Sequence, residues 1–229
     1  MWFIIFKFSF AGAFLCLDRV ACGQFMFSRP IVAGTIIGWL NGNSPLGLLT
    51  GSLLELLWLH ELPVGCAIPT DDTIIAILGS GIITTIASRQ HLQNPAQIGS
   101  LIFIILSILF CLAPLSRKID ILIRNRNAEL LIDMETKLLY GKPKEAIKIH
   151  LKGLFNFWSY NFLTIFTVSF VLVLLIPALH NLLPHYLHLW LTQCLVIFPL
   201  WGIAAVLNGL NKKYALVIFI VLVFICKIT

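Results

Sequence analysis

The stretch GSLLELLWLHELPVGCAIPTDD, residues 51–72, decides how the chain is read, because it sets Glu55, Glu61, Asp71 and Asp72 among apolar residues. An ionised acid at the centre of a membrane helix costs roughly 2.5–3.5 kcal/mol on insertion scales, so acids kept there usually face a cavity and mark a substrate or ion pathway. The solvent in which these acids sit follows from composition. The 229 residues are 59% hydrophobic and 11% charged, with a mean hydropathy of +0.96, whereas soluble domains carry about 25% charged residues. The chain is therefore expected to be an all-α integral membrane protein, with several helices crossing the bilayer.

The net charge of +6 comes largely from one block. Nine of the sixteen Lys and Arg lie between Arg117 and Lys152, interspersed with five acids. A mixed block of this kind is solvated, and the positive-inside rule makes segment 116–152 cytoplasmic; no nucleic-acid surface is expected. The six cysteines are scattered, with no CxxC pair and no Cys/His cluster at metal-ligand spacing. They read as small apolar residues, and neither metal nor other cofactor is expected. The run Trp2 to Leu17, despite Lys7, lacks a small-x-small cleavage site after a polar region and reads as a retained membrane segment.

Apolar runs fall at 2–17, 30–59, 73–87, 98–115, 155–179, 189–207 and 214–226. A spanning helix needs about 20 apolar residues, which the runs starting at 98, 155 and 189 supply or approach. The N-terminal third is interrupted by RP at 29, NGNSPLG at 41–47, LPVG at 62–65 and IP at 68. Broken backbone at membrane depth is tolerated only when buried in protein or lining a watered cavity. Residues 18–88 are thus expected to form re-entrant hairpins and discontinuous helices, the kind of break at which transporters bind substrate. The alternative is ordinary surface loops between short helices.

In the charged middle, ILIRNRNAELLIDMETKLL alternates Ile and Leu with charge from Ile119 to Leu139. This predicts a helix with one apolar face against the membrane surface or a partner, ended by GKP at 141–143 and followed by a second basic helix. A plain connector between membrane halves is the competing reading. Farther on, HNLLPHYLHLW places His180, His185, His188, Tyr186 and Trp190 around Pro184. Three histidines suggest a metal, but the proline breaks helical register and no carboxylate is near, so an external interfacial loop with an aromatic belt is expected. Lys212 and Lys213 then mark a return to the cytoplasm, and the final 13-residue run makes only about 20 Å of helix.

Among the acids, Glu55 sits in the otherwise uncharged stretch Leu46 to Trp58. Asp71 and Asp72 follow IPT and precede TIIAILG, so Thr70 or an Asp is placed to cap a helix starting near Thr73. Capping and substrate binding both remain open for the pair. Glu61 beside His60 reads as an interfacial group.

From Leu17 to Asp72 the chain resembles the membrane subunit, enzyme IIC, of the mannose/fructose/sorbose class of the bacterial sugar phosphotransferase system (PTS). The resemblance rests on F-x-F-x-RP at Phe25 to Pro30, GxLLE at Gly51 to Glu55, and LPVGxAIPxD at Leu62 to Asp71, with Ser28 where some members have histidine. It implies a single membrane domain over 1–229 in the bacterial inner membrane. It further implies a non-catalytic sugar-translocating subunit that pairs with a IID membrane protein in a trimeric assembly and passes a hexose to cytoplasmic IIA and IIB for phosphorylation. A sugar's hydroxyls donate well to carboxylates, so Glu55 and Asp71, with Gln24, Ser28 and Asp72, are the expected sugar-facing cluster. Two alternatives stand beside this reading: a transport-inactive regulatory component of an incomplete system, and an intramembrane lipid-modifying enzyme holding a metal with Asp71 and Asp72. The latter lacks further acids at helical spacing before Asp120.

Overall fold

A computed structural model describes residues 1–59, 70–141 and 143–209, together with Val217 and Val221. Glu61, His60, the LPVG and IP breaks, Cys66, the Lys212–Lys213 pair and nearly all of the last apolar run lie outside the described residues. Those residues form helices and connecting turns without strands: α1 (Trp2–Val20), α2 (Pro30–Leu40), α3 (Ser44–Leu57), α4 (Asp72–Arg89), α5 (Pro95–Leu139), α6 (Pro143–Asn181), α7 (His185–Gln193) and α8 (Ile197–Gly209), with one 3₁₀ turn before α8. The expected all-helical membrane architecture is what the chain adopts.

Local chemistry sets the helix starts. Pro30, Pro45 and Pro95 stand in the first turns of α2, α3 and α5, where a missing N–H costs nothing. Asn43 and Asn94 cap α3 and α5 by accepting from the N–H groups of Leu46 (3.2 Å) and Ala96 (3.0 Å).

α4 is the central post. Every residue from Thr73 to Ala87 is buried, and α1, α2, α3, α5 and α6 all pack on it. A helix apolar all round belongs in an interior, and its hydroxyls are satisfied there: Ser80 donates to Gly34 O (2.8 Å), Thr84 to Ser80 O (2.6 Å) and Thr85 to Gly81 O (2.6 Å).

α2 and α3, of 11 and 14 residues, reach about 16 and 21 Å, short of the roughly 30 Å hydrocarbon core. They form the broken hairpin the sequence predicts, turning at Asn41 to Asn43. Glycines let their backbones touch: a Cβ on Gly38 would lie 2.7 Å from Gly47 Cα and 2.8 Å from Asn43 O. Lys7 of α1 donates to Leu40 O at the end of α2.

In the charged middle the expected helix up to Leu139 and the basic helix after GKP are both present, the first as a continuation of the preceding span: α5 runs 45 residues without interruption through Pro114 and the charged block, and α6 runs 39 residues back. At about 67 and 58 Å, both exceed the bilayer and form a two-helix arm with its turn at Tyr140 and Gly141 (φ +68°). The physical reason is that charge alone does not stop a helix; the breaker arrives only at GKP. Four helical stretches are long and apolar enough to cross a membrane among the described residues: Asp72–Arg89, Pro95–Leu139, Lys144–Asn181 and His185–Asn208. The chain is a multi-pass membrane protein.

Candidate functional site

Among the described residues, Asp18, Glu55, Asp71 and Asp72 gather at the end of α4 from which the arm extends. Asp71 caps α4, its Oδ1 accepting from Ile74 N (3.1 Å), while its own N–H donates to Ser116 Oγ (3.1 Å) at the base of the arm. The same oxygen meets Arg19 Nη1 at 3.0 Å. Arg19 also pairs with Asp72 and donates through Nη2 to Thr70 O (3.0 Å). One guanidinium from the end of α1 thus ties down both acids that open α4.

Glu55, in the last turn of α3, pairs with Arg29 (3.2 Å) and reaches Ile31 N (3.4 Å) at the start of α2. There a carboxylate meets the positive end of a helix. Between these pairs lies the 21–29 loop, joined to α4 where Thr73 Oγ1 donates to Ser28 O (2.8 Å). Asp18, buried at the end of α1, accepts from the N–H groups of Phe25 (2.7 Å) and Ser28 (3.1 Å). Gln24 is exposed with φ +56°.

The structure therefore places Glu55, Asp71, Asp72 and Ser28 around one end of the bundle, linked by Arg19, Arg29 and Thr73, with Gln24 on the adjoining loop. Asp71 therefore caps α4 and pairs with Arg19 at once. The acids sit at one end of the roughly 27 Å helix α4 rather than at its middle. Among the described residues, counting Asp18, Glu55, Asp71 and Asp72 against Arg19 and Arg29 leaves two negative charges in excess, a balance suited to hydroxyl donors or cations.

Asp18, Arg19, Arg29 and Ser116 were not singled out in the sequence. A signal existed: Arg19 and Arg29 are the sole cations between residues 8 and 88, so buried acids in that stretch had to find them.

A second polar cluster lies at the opposite end of α4, where the stretch expected as an interfacial loop is the end of α6, a short turn at 182–184 and the start of α7. Tyr186 and Trp190 are exposed, but His180 and His188 are buried, 2% and 5% accessible, with ring centroids 4.7 Å apart. Both nitrogens converge on Ser100 Oγ, His188 Nδ1 at 2.6 Å and His180 Nε2 at 3.1 Å, and His180 Nε2 also lies 3.0 Å from Gln97 O. The cluster bolts α6 and α7 to the start of α5. Among the described residues no group of three or more His, Cys, Asp or Glu side chains is arranged to hold a metal ion.

Comparison with known proteins follows the same outline. The mannose-specific EIIC component of the PTS in Escherichia coli K12 is 30% identical over 69 residues, 30% of this chain and 25% of that protein. A putative N-acetylgalactosamine permease IIC component 2 of the same organism is 37% identical over 57 residues, 25% of this chain and 43% of it. These alignments span less than half the length of either relative. Among solved structures, a chain of the mannose transporter ManYZ in complex with microcin E492 matches with a TM-score of 0.60 and 21% identity, covering 98% of this chain and 84% of that one. A chain described as a membrane protein matches at 0.68 and 19%, covering 96% and 83%. These two likenesses establish the fold. The family model for the PTS system sorbose-specific IIC component matches residues 3–229; the chain belongs to that family.

Proposed function

We propose that the protein is the membrane-embedded, non-catalytic sugar-translocating subunit of a phosphoenolpyruvate-dependent phosphotransferase system in a bacterial inner membrane, acting as one domain. The observation that carries this reading is the convergence of Glu55, Asp71 and Asp72 beside a broken hairpin, in a chain of the IIC family. Carboxylates with spare lone pairs accept sugar hydroxyls, and the surplus negative charge is offset when those hydroxyls donate. Gln24 and Ser28 supply further polar groups from the adjoining loop.

By the positive-inside rule the arm is cytoplasmic, which puts the acid cluster at the cytoplasmic end of α4, on the side where cytoplasmic IIA and IIB phosphorylate the arriving hexose. A IID membrane subunit completes the transporter as a trimer of IIC–IID pairs, a reading supported by the similar fold of a chain from the mannose transporter ManYZ. The test is co-expression with the cognate IID in cells lacking their own mannose-class system. The two proteins should co-purify and restore phosphorylating hexose uptake when IIA and IIB are present. Co-purification without uptake of any hexose would favour the regulatory role.

A further inference from the structure

We propose that Asp18 is a positioning residue for sugar uptake, fixing the 21–29 loop and, through it, the Arg29–Glu55 pair. The inference rests on the transport reading above. Asp18 is 7% exposed, and among the described residues no ion pair reaches it, because its neighbour Arg19 is committed to Asp71 and Asp72. Its compensation is instead the pair of loop amides: Oδ1 accepts from Phe25 and Oδ2 from Ser28. A buried carboxylate that spends both oxygens on backbone N–H groups holds those groups in one place.

The loop needs holding. Gln24 (φ +56°) and Met26 (φ +68°), neither of them glycine, sit in the left-handed region beside Gly23 (φ +85°). Such conformations cost energy and persist only where the surroundings over-determine them; they collect at ligand clamps and switch segments. An unconstrained connector from α1 to α2 has no use for two of them. Phe25, Met26 and Phe27 are exposed, so burial of their side chains does not explain the conformation either. The amide of Ser28 is taken by Asp18, its carbonyl by Thr73 of α4, and the next residue, Arg29, reaches Glu55. Ser28 therefore links Asp18 both to Thr73, beside Asp72, and to Arg29 of the Glu55 pair, so loss of the Asp18 grip loosens Arg29 on Glu55.

Asp18→Asn offers one oxygen and one NH2 group to two N–H donors, so one amide loses its acceptor and faces a donor. Asp18→Glu keeps both acceptors. The test measures hexose uptake by the full chain with its partner subunits, alongside backbone hydrogen exchange over 21–31 in the purified complex. Asp18→Asn should raise KM about three- to tenfold, the effect of one weakened hydrogen bond to a charged group, with membrane abundance unchanged and exchange over 21–31 accelerated. Arg29→Gln should raise KM similarly, and adding Asp18→Asn to it should raise KM by less than the product of the two single effects, because the Arg29–Glu55 pair is a contact they share; Asp18→Glu should recover part of the loss. An unchanged KM in Asp18→Asn, or effects that multiply in the double variant, would overturn this role while wild-type uptake stands. A wild type that takes up no hexose would overturn the transport reading and this role together.

Discussion

Arg19 and Asp71, 52 positions apart in sequence, meet at 3.0 Å, and the same guanidinium takes Asp72. This contact joins the end of α1 to the start of α4 at the level where the arm begins, and it lets two acids stand side by side in a largely apolar protein. Arg19→Gln removes the cation and leaves both carboxylates. Breaking a buried pair costs about 3–5 kcal/mol; with the Arg19 side chain 22% exposed, the lower end is expected. A fall in the unfolding temperature of the detergent-solubilised protein, larger than that of Asp71→Asn, is the readout.

The hairpin makes a steric prediction. Gly38→Ala drives a methyl group against the Gly47 backbone, where nothing flexible can yield, and overpacking of this kind costs about 1–3 kcal/mol. Gly42, at φ +82° with nothing within 4 Å of a Cβ, tolerates Asn, which accepts the left-handed region. Comparing the membrane abundance and thermal stability of the two variants checks this, and equal loss would place the α2–α3 contact elsewhere.

At the other end of α4, Ser100→Ala deletes the hydroxyl shared by His180 and His188. A buried polar group left without its partner costs about 1–3 kcal/mol, and the loss should appear in thermal unfolding without a change in sugar KM, because this cluster lies at the opposite end of α4 from the acids.

Much of this arrangement was legible in residue order, and the exceptions have physical causes. NGNSP foretold the break between α2 and α3, and TDD before TIIA foretold the Asp71 cap, because turns and caps are decided by neighbours in sequence. The uninterrupted α5 was hidden by a change of polarity at Arg117, which alters a helix's surroundings and not its hydrogen bonds. The buried His180 and His188 meet Ser100, 80 and 88 positions away, and no local pattern reports that. The Arg19 and Arg29 pairs are likewise long-range, although the scarcity of cations between residues 8 and 88 narrows the choice to these two.

Orientation is a separate question, decided by labelling. In a background lacking the six native cysteines, Lys137→Cys on the arm should be shielded from an impermeant thiol reagent in intact cells and react once the membrane is opened. Tyr186→Cys, at an exposed position before the far end of the bundle, should react from outside. Labelling of position 137 in intact cells would invert the topology.

The central claim, that Glu55 and Asp71 face the sugar, is tested most directly by hexose uptake through the reconstituted complex carrying Glu55→Gln or Asp71→Asn, with membrane abundance verified. Asparagine caps a helix as well as aspartate, so Asp71→Asn spares the start of α4 while removing the charge. The account predicts that each variant weakens apparent sugar affinity by about ten- to a hundredfold, as expected when a charged hydrogen-bond acceptor is lost. Wild-type uptake by both variants would contradict it.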